Sequence, residues 1–338
     1  AGNTATDTIA VTVDTTAPSI GSLSITTPTN DTTPDLTFTA ESSGSVVVTS
    51  DGTSGNVGTA TGTGSSQTIT LSTLDAGAQT LTVTVTDAAG NTATDTIAVT
   101  VDTTAPTAAI TYSEAGPYKS GDTITITATF SEAVQDSPTP QIAISGSNSV
   151  SATDMTKSST TVYTYSHTIG SGDGTATVAM SAALDAAGNV VTSTPTSGST
   201  FTVDTTAPTV GSLSLSSQPD TTPDLTFTAE SSGSVVVTSD GTSGNVGTAT
   251  GTGSSQTITL STLDAGAQTL TVTVTDAAGN TATDTIAVTV DTTAPSIGSL
   301  SITTPTNDTT PDLTFTAESS GSVVVTSDGT SGNVGTAT

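Results

Sequence analysis

Apolar and polar residues alternate along most of this chain with a period of two, the pattern of strands that bury one face. In residues 15–102 the alternation leaves seven candidate strands: 20–25, 35–40, 45–50, 56–61, 67–72, 79–86 and 93–101. The stretches between them (PTNDTTPD, ESSG, SDGTSGN, GTGSS, LDAGA and DAAGN) are rich in Gly, Asn, Asp and Pro. Those residues have the backbone preferences that turns require. Inward positions are Leu36, Phe38, Val46, Val48, Ile69, Leu71, Leu81, Val83, Val85, Ile97 and Val99. Thr fills the outward positions, where its branched side chain favours strand and its hydroxyl meets water. No segment has a convincing helical period. Seven short strands with closely spaced turns predict an immunoglobulin-like β-sandwich.

The pattern repeats. Val-Asp-Thr-Thr-Ala-Pro occurs four times, with its Asp at Asp14, Asp102, Asp204 and Asp291. It divides the chain into the C-terminal strand of a truncated repeat (1–14), repeats at 15–102, 103–204 and 205–291, and the N-terminal half of a truncated repeat (292–338). Residues 35–102 and 224–291 are identical. The middle repeat is divergent and bulkier (TITITATF, QIAISG, VYTYSHTI, TATVAMS, STFTVD), and it holds all four Tyr, both Lys and the only His. Residues 1–61 recur at 278–338, an offset of 277, so the chain reads as a window on a longer array. The expected fold is all-β: tandem immunoglobulin-like β-sandwich domains in a linear array. The short linkers contain a Pro that fixes one dihedral, which predicts stiff joints. Strands of this length make each domain roughly 35–40 Å long.

Composition narrows the function. Thirty acidic residues against two basic ones give a formal charge of −28, which removes the electrostatic footing for nucleic acid or anionic lipid. Only 9% of residues are charged and the alternation is clean, so this acidity does not signal disorder. Without cysteine there are no disulfides, and with 3% aromatics and no Trp each core must be thin. Small domains with thin cores usually lean on a metal or on neighbours. No apolar run is long enough to span a bilayer, so no membrane insertion is expected in this segment.

The joint phrase VDTTAP, the TDAAGNTATDTIAVTVD that precedes it and the TFSEAV of the middle repeat resemble the bacterial and archaeal Ig-like repeats of giant surface adhesins and biofilm-associated proteins. The resemblance covers essentially the whole chain. It implies an extracellular, cell-surface location and a non-catalytic role. Relatives often place a Tyr after the turn into the sixth strand; here Asp75-Ala-Gly-Ala leads to Gln79, so the first-type repeats lack that tyrosine corner.

The carboxylates are not scattered. Four of the five Glu follow the second strand (Glu41, Glu132, Glu230 and Glu318), and the DAAGN turn supplies Asp87, Asp185 and Asp276. In a sandwich of this kind both turns lie at the pole that the linker enters. Asp14, Glu41 and Asp87 are therefore expected to converge, as are Asp102, Glu132 and Asp185, and Asp204, Glu230 and Asp276; Asp291 and Glu318 begin a fourth set. Two carboxylates about 5 Å apart repel by roughly 3 kcal/mol at an effective dielectric near 20. The chain has no Arg, and neither Lys recurs from joint to joint. A hard divalent cation with oxygen ligands would relieve the repulsion, and Ca²⁺ suits so irregular a set. Asp31, Asp35 and Asp51, at the opposite pole, are candidates to add ligands from the preceding domain. The competing reading is that Asp and Asn simply make turns.

Other chemistry has little footing. His167 is alone in a strand, and no Ser sits in a nucleophile context. Sugar cleavage or binding would need aromatic platforms. Lys119 and Lys157 are the only amines for an internal isopeptide link, and neither repeats. Thr rows of the ice-binding kind are equally what solvent-facing strands show. Asn30 and Asn307 lie in Asn-Asp-Thr sequons. Two functions remain. The first is a spacer or stalk whose ligand-binding tip, if any, lies outside this segment. The second is a filament, sheath or surface layer built by lateral or end-to-end association of the repeats, whose edge strands lack protective Lys.

Overall fold

The computed structural model describes residues 2–52, 55–216, 221–319, 321–329 and 332–338. The chain divides after Thr206 into two compact units.

In the first unit, residues 15–102 form β1 (Ile20–Ile25), β2 (Asp35–Ala40), β3 (Ser45–Ser50), β4 (Asn56–Thr61), β5 (Ser66–Thr70), β6 (Gly77–Thr86) and β7 (Thr92–Val101). One sheet has the order β1-β2-β5 and the other β4-β3-β6-β7, all neighbours antiparallel. Period-two alternation turns Leu36 and Phe38, Val46 and Val48, and Leu81, Val83 and Val85 into the space between the sheets, all fully buried. Ile69 on β5 and Ile97 on β7 are only half-buried and pack against the margin of this core. Leu74, outside any strand, closes the core beneath the loop before β6 and donates its N–H to Thr32 O. β1 carries a bulge with Ser22 at φ 52°, repeated at Ser212 and Ser299, so the irregularity is built into the repeat.

The middle domain adds β8 (Ala108–Tyr112), β9 (Thr123–Phe130), β10 (Gln141–Gly146), β11 (Val150–Asp154), β12 (Thr156–Lys157), β13 (Val162–Thr168), β14 (Gly174–Ser181) and β15 (Thr200–Val203). Its sheets are ordered β12-β13-β9-β8 and β11-β10-β14-β15. Tyr163, Phe130, Met155 and Met180 make its core bulkier than that of its neighbour.

In the second unit β16 (Val210–Leu215), β17 (Asp224–Ala229), β18 (Ser234–Ser239), β19 (Asn245–Thr250), β20 (Ser255–Thr259), β21 (Gly266–Thr275) and β22 (Thr281–Val290) repeat the first domain's two sheets. Residues 292–338 hold counterparts of the first four strands only: β23 (Ile297–Ile302) with β24 (Leu313–Ala317), and β25 (Val323–Thr326) with β26 (Asn333–Ala337). Ile297, Leu300 and Val334 are accordingly exposed. Residues 2–14 differ from the expected strand. Their sequence recurs within the β22 region, yet here they are exposed and form no strand, because no counterpart of β21 pairs with them.

Candidate metal centre at the domain joint

Each linker begins with the same local geometry. The Asp carboxylate folds back on the chain and accepts the N–H two residues on: Asp14 from Thr16, Asp102 from Thr104, Asp204 from Thr206 and Asp291 from Thr293, at 2.9–3.1 Å. This is the Asx turn that Asp favours. The DAAGN turn is closed in a similar way. Asp87 accepts the N–H of Asn91 at 2.9 Å and its Nδ2 at 2.8 Å, and Asp185 accepts both from Asn189 at 2.8 Å. Asp276 does the same with Asn280. The Asn91 side chain, with the turn's N–H groups, holds the Asp87 carboxyl below the usual carboxylate range.

The Asn of this turn has a second task that the sequence reading missed. Asn91 Nδ2 donates to Asp14 O at 3.1 Å, and Asn189 Nδ2 donates to Asp102 O at 2.8 Å. The turn thus tethers the linker that enters its own domain. Its Asn recurs with each DAAGN, which was the available signal.

At the joint between the first and middle domains Asp102, Glu132 and Asp185 each offer a carboxylate oxygen within 4.8 Å of the others. They are the only such trio among the described residues. Asp185 is 1% exposed. Burial, then the Asp185 and Asp102 carboxylates, push the Glu132 carboxyl up. Such crowding is what a bound cation would relieve, and the donor set is all hard oxygen, which fits Ca²⁺.

The other sets differ, and the reason is a one-residue offset. Glu41 donates its N–H to Ser19 O, the residue after the linker Pro, and Glu230 and Glu318 do the same to Thr209 O and Ser296 O. In the middle domain Ser131 holds that backbone position, donating to Thr107 O, so Glu132 is one residue beyond the place of Glu41. The side chains divide accordingly. Glu41 Oε2 accepts Ser19 N–H at 3.2 Å and Glu230 Oε2 accepts Thr209 N–H at 3.3 Å, whereas Ser131 Oγ takes the equivalent bond from Thr107 at 3.0 Å. Glu132 is thereby released to face Asp102 and Asp185. Asp14, Glu41 and Asp87 line one surface crevice without closing to the tighter spacing. Asp204 belongs to one compact unit, Glu230 and Asp276 to the other. The carboxylates at the opposite pole are engaged within their own domain: Asp31 by Thr33, Asp35 by Thr70 and Asp51 by the Thr80 N–H.

Lys157 pairs with Asp136 at 2.6 Å, but the two side chains are 41% and 66% exposed, so the pair lacks the buried setting that amide formation needs. His167 is buried against Phe201 and Tyr165, and its Nε2 has no partner. Burial holds its pKa below the ordinary 6.5. Below about pH 6.5 the unfolded chain therefore takes up a proton that the folded domain refuses. This contribution to stability is complete above that pH and is lost as pH falls toward the folded value. All four Tyr lie in this domain, so tyrosine fluorescence reads its unfolding within the intact chain. The urea midpoint is expected to drop between pH 7.5 and 5.5, and His167→Phe should flatten that drop; an equal slope in the variant refutes the assignment.

Two family models described as bacterial Ig-like domain match the chain, one at residues 21–103 and 217–292, the other at 102–203. The chain belongs to the bacterial Ig-like domains, in tandem. No curated protein matches it. Among solved structures it is similar to a tetra-tandem repeat in the extending region of a large adhesion protein (23% identity, 89% of this chain and 88% of that one, TM-score 0.31). It is also similar to the fibronectin(III)-like modules of Clostridium thermocellum CbhA (19% identity, 54% and 93%, TM-score 0.31). A third likeness is to the BSP domain of a biofilm associated protein (15% identity, 83% and 69%, TM-score 0.24). The family assignment rests on the two models. Among the described residues no helix is long and apolar enough to cross a membrane.

Proposed function

We propose that this chain is a non-catalytic, extracellular spacer segment of a large surface protein, with Ca²⁺ stiffening its joints. The observation that carries the reading is the Asp102, Glu132 and Asp185 trio at the joint between two Ig-like domains, with its raised Glu132 carboxyl. Asp102 comes from the linker, Glu132 from the turn after β9 and Asp185 from the turn after β14. One cation would therefore tie the linker to two loops of the domain it enters. Asp185 is held in position for this by Asn189. The absence of an aromatic platform in the first-type repeats, whose only ring is Phe38 or Phe227, supports a role in reach over ligand capture.

The test is thermal unfolding of the full chain by tyrosine fluorescence, in chelator and in millimolar Ca²⁺. Free Ca²⁺ at one hundred times its dissociation constant stabilises a single site by about 2.7 kcal/mol, a rise of roughly 10 °C or more for a domain of this size. Glu132→Gln should abolish the rise and melt no lower than wild type in chelator, since it removes a repelling charge. An unchanged midpoint for the wild type refutes the calcium reading. Mass that grows with protein concentration in Ca²⁺ would favour the filament instead.

A further inference from the structure

The first and third domains are identical from 35 to 102 and from 224 to 291, so whatever distinguishes them lies before that block. The differences run from Ser19 to Asn30 and are greatest in the β1–β2 loop, which reads Thr26-Thr27-Pro28-Thr29-Asn30-Asp31 in one and Ser216-Ser217-Gln218-Pro219-Asp220, one residue shorter, in the other. The two domains also have different successors: the divergent middle domain after the first, a first-type repeat after the third.

The loop that differs is the loop that meets the next domain. Thr29, 7% exposed, donates its N–H to Thr100 O and accepts that of Asp102, forming a parallel bridge to Val101. It straps the end of β7 where the linker leaves. Thr27 Oγ1 adds a bond from Thr100 N–H at 2.9 Å. The next residue crosses the joint: Asn30 N–H donates to Ala187 O at 3.0 Å, in the DAAGN turn of the middle domain. The Asn30 side chain lies over Gly188, where a Cβ would stand 3.6 Å from Nδ2, in ordinary van der Waals contact. Asn189 of the same turn holds Asp102 O, so one turn is gripped from the linker and from the preceding domain together. The middle domain has the same strap. There Tyr118 takes the place of Thr29, donating to Thr202 O, accepting from Asp204 and bridging to Val203.

We infer that the β1–β2 loop is a joint key: the Thr29–Asn30 step is an interaction surface fitted to the DAAGN turn of the divergent domain, and it orients that domain without a cation. This goes beyond the calcium reading and does not depend on it. The third domain, which precedes a different neighbour, has a different loop sequence on the same body.

The chain has no cysteine, so Thr68→Cys and Ser166→Cys on exposed strand positions of the first and middle domains give a single spin-label pair in the full protein. In chelator the wild-type distance distribution is expected to be narrow. Replacing Thr26–Asp31 by Ser-Ser-Gln-Pro-Asp, a loop native to an identical body, should broaden it at least about twofold. Equal widths overturn the inference. A second measurement needs no variant: exchange of the Asn30 amide in chelator should be slowed at least about tenfold against the unfolded rate, and an unprotected amide overturns it as well. A wild-type distribution that ignores Ca²⁺ would count against the calcium reading alone.

Discussion

Phe38→Ala is expected to destabilise the first domain by about 3–5 kcal/mol, the usual cost of emptying a buried aromatic site. Phe38 is fully buried and is the only ring in a core otherwise made of Leu, Val, Ala and Ile. Its neighbours sit on paired strands, which keep them from collapsing into the hole: Leu36 on β2, Val46 and Val48 on β3, Leu81 and Val83 on β6. Small domains have only about 5–15 kcal/mol in total, so the loss is a large share. Calorimetry of the full chain supplies an internal control, because the third domain has the same body with Phe227 intact. Their closely placed endotherms should separate, the mutated one falling by at least about 12 °C. Two endotherms that stay within a few degrees would show that this core does not depend on its ring. For a spacer the consequence is direct, since one unfolded domain turns a stiff link into a slack one.

The strands of the first-type domains were legible because Thr and Val alternate without interruption and turn residues punctuate them; a period of two leaves little choice of face. Ile69 and Ile97 were read as inward and point that way, but alternation reports the direction of a side chain and not how much covers it. Leu74 was invisible to the same reasoning because no strand contains it. The limit was sharper at the joint. Glu41 and Glu132 look equivalent in sequence, both following the second strand. Only the hydrogen bonds of Ser19 and Thr107 reveal that Ser131 stands in Glu41's place and that Glu132 is displaced by one. In a turn that single step redirects a carboxylate, and no periodicity exists there to detect it. Asn30 was legible as a sequon and as a turn residue. That its N–H crosses to Ala187 depends on how two domains meet, which a pattern internal to each domain does not encode.

Gln79 stands where the first-type repeats lack the family's Tyr, and its loss is expected to be costly. The tyrosine corner expected of the family is absent, yet the corner itself is rebuilt. Gln79 is 6% exposed; its Nε2 donates to Asp75 O, four residues upstream, and its Oε1 accepts Ser50 Oγ. Ser50 Oγ in turn accepts the Gly52 N–H at 3.1 Å, and Gln268 with Ser239 repeats the arrangement in the third domain. In the middle domain Tyr118 Oη donates to Glu114 O, also four residues back, but from the β8–β9 loop and not from this corner. A buried amide with both ends engaged is costly to remove, because each partner left unpaired loses about 1–3 kcal/mol. Gln79→Ala is therefore expected to cost about 2–4 kcal/mol. Gln79→Glu separates the hydrogen bond from packing, since it keeps the shape and, when ionised, can only accept. At pH 7.5 it should destabilise the first domain about as much as alanine, with a carboxylate facing the Asp75 carbonyl. Burial raises the pKa of such a group in the folded state, so the penalty should shrink as pH falls toward 4.5 and the restored O–H donates. The untouched third domain reports every other acidic group titrating over the same range. If Gln79→Glu melts with the third domain at pH 7.5, the corner is held by packing and the amide is dispensable. If its endotherm is depressed there and rejoins the third domain's in acid, the Gln amide does for these repeats what the Tyr hydroxyl does for their relatives.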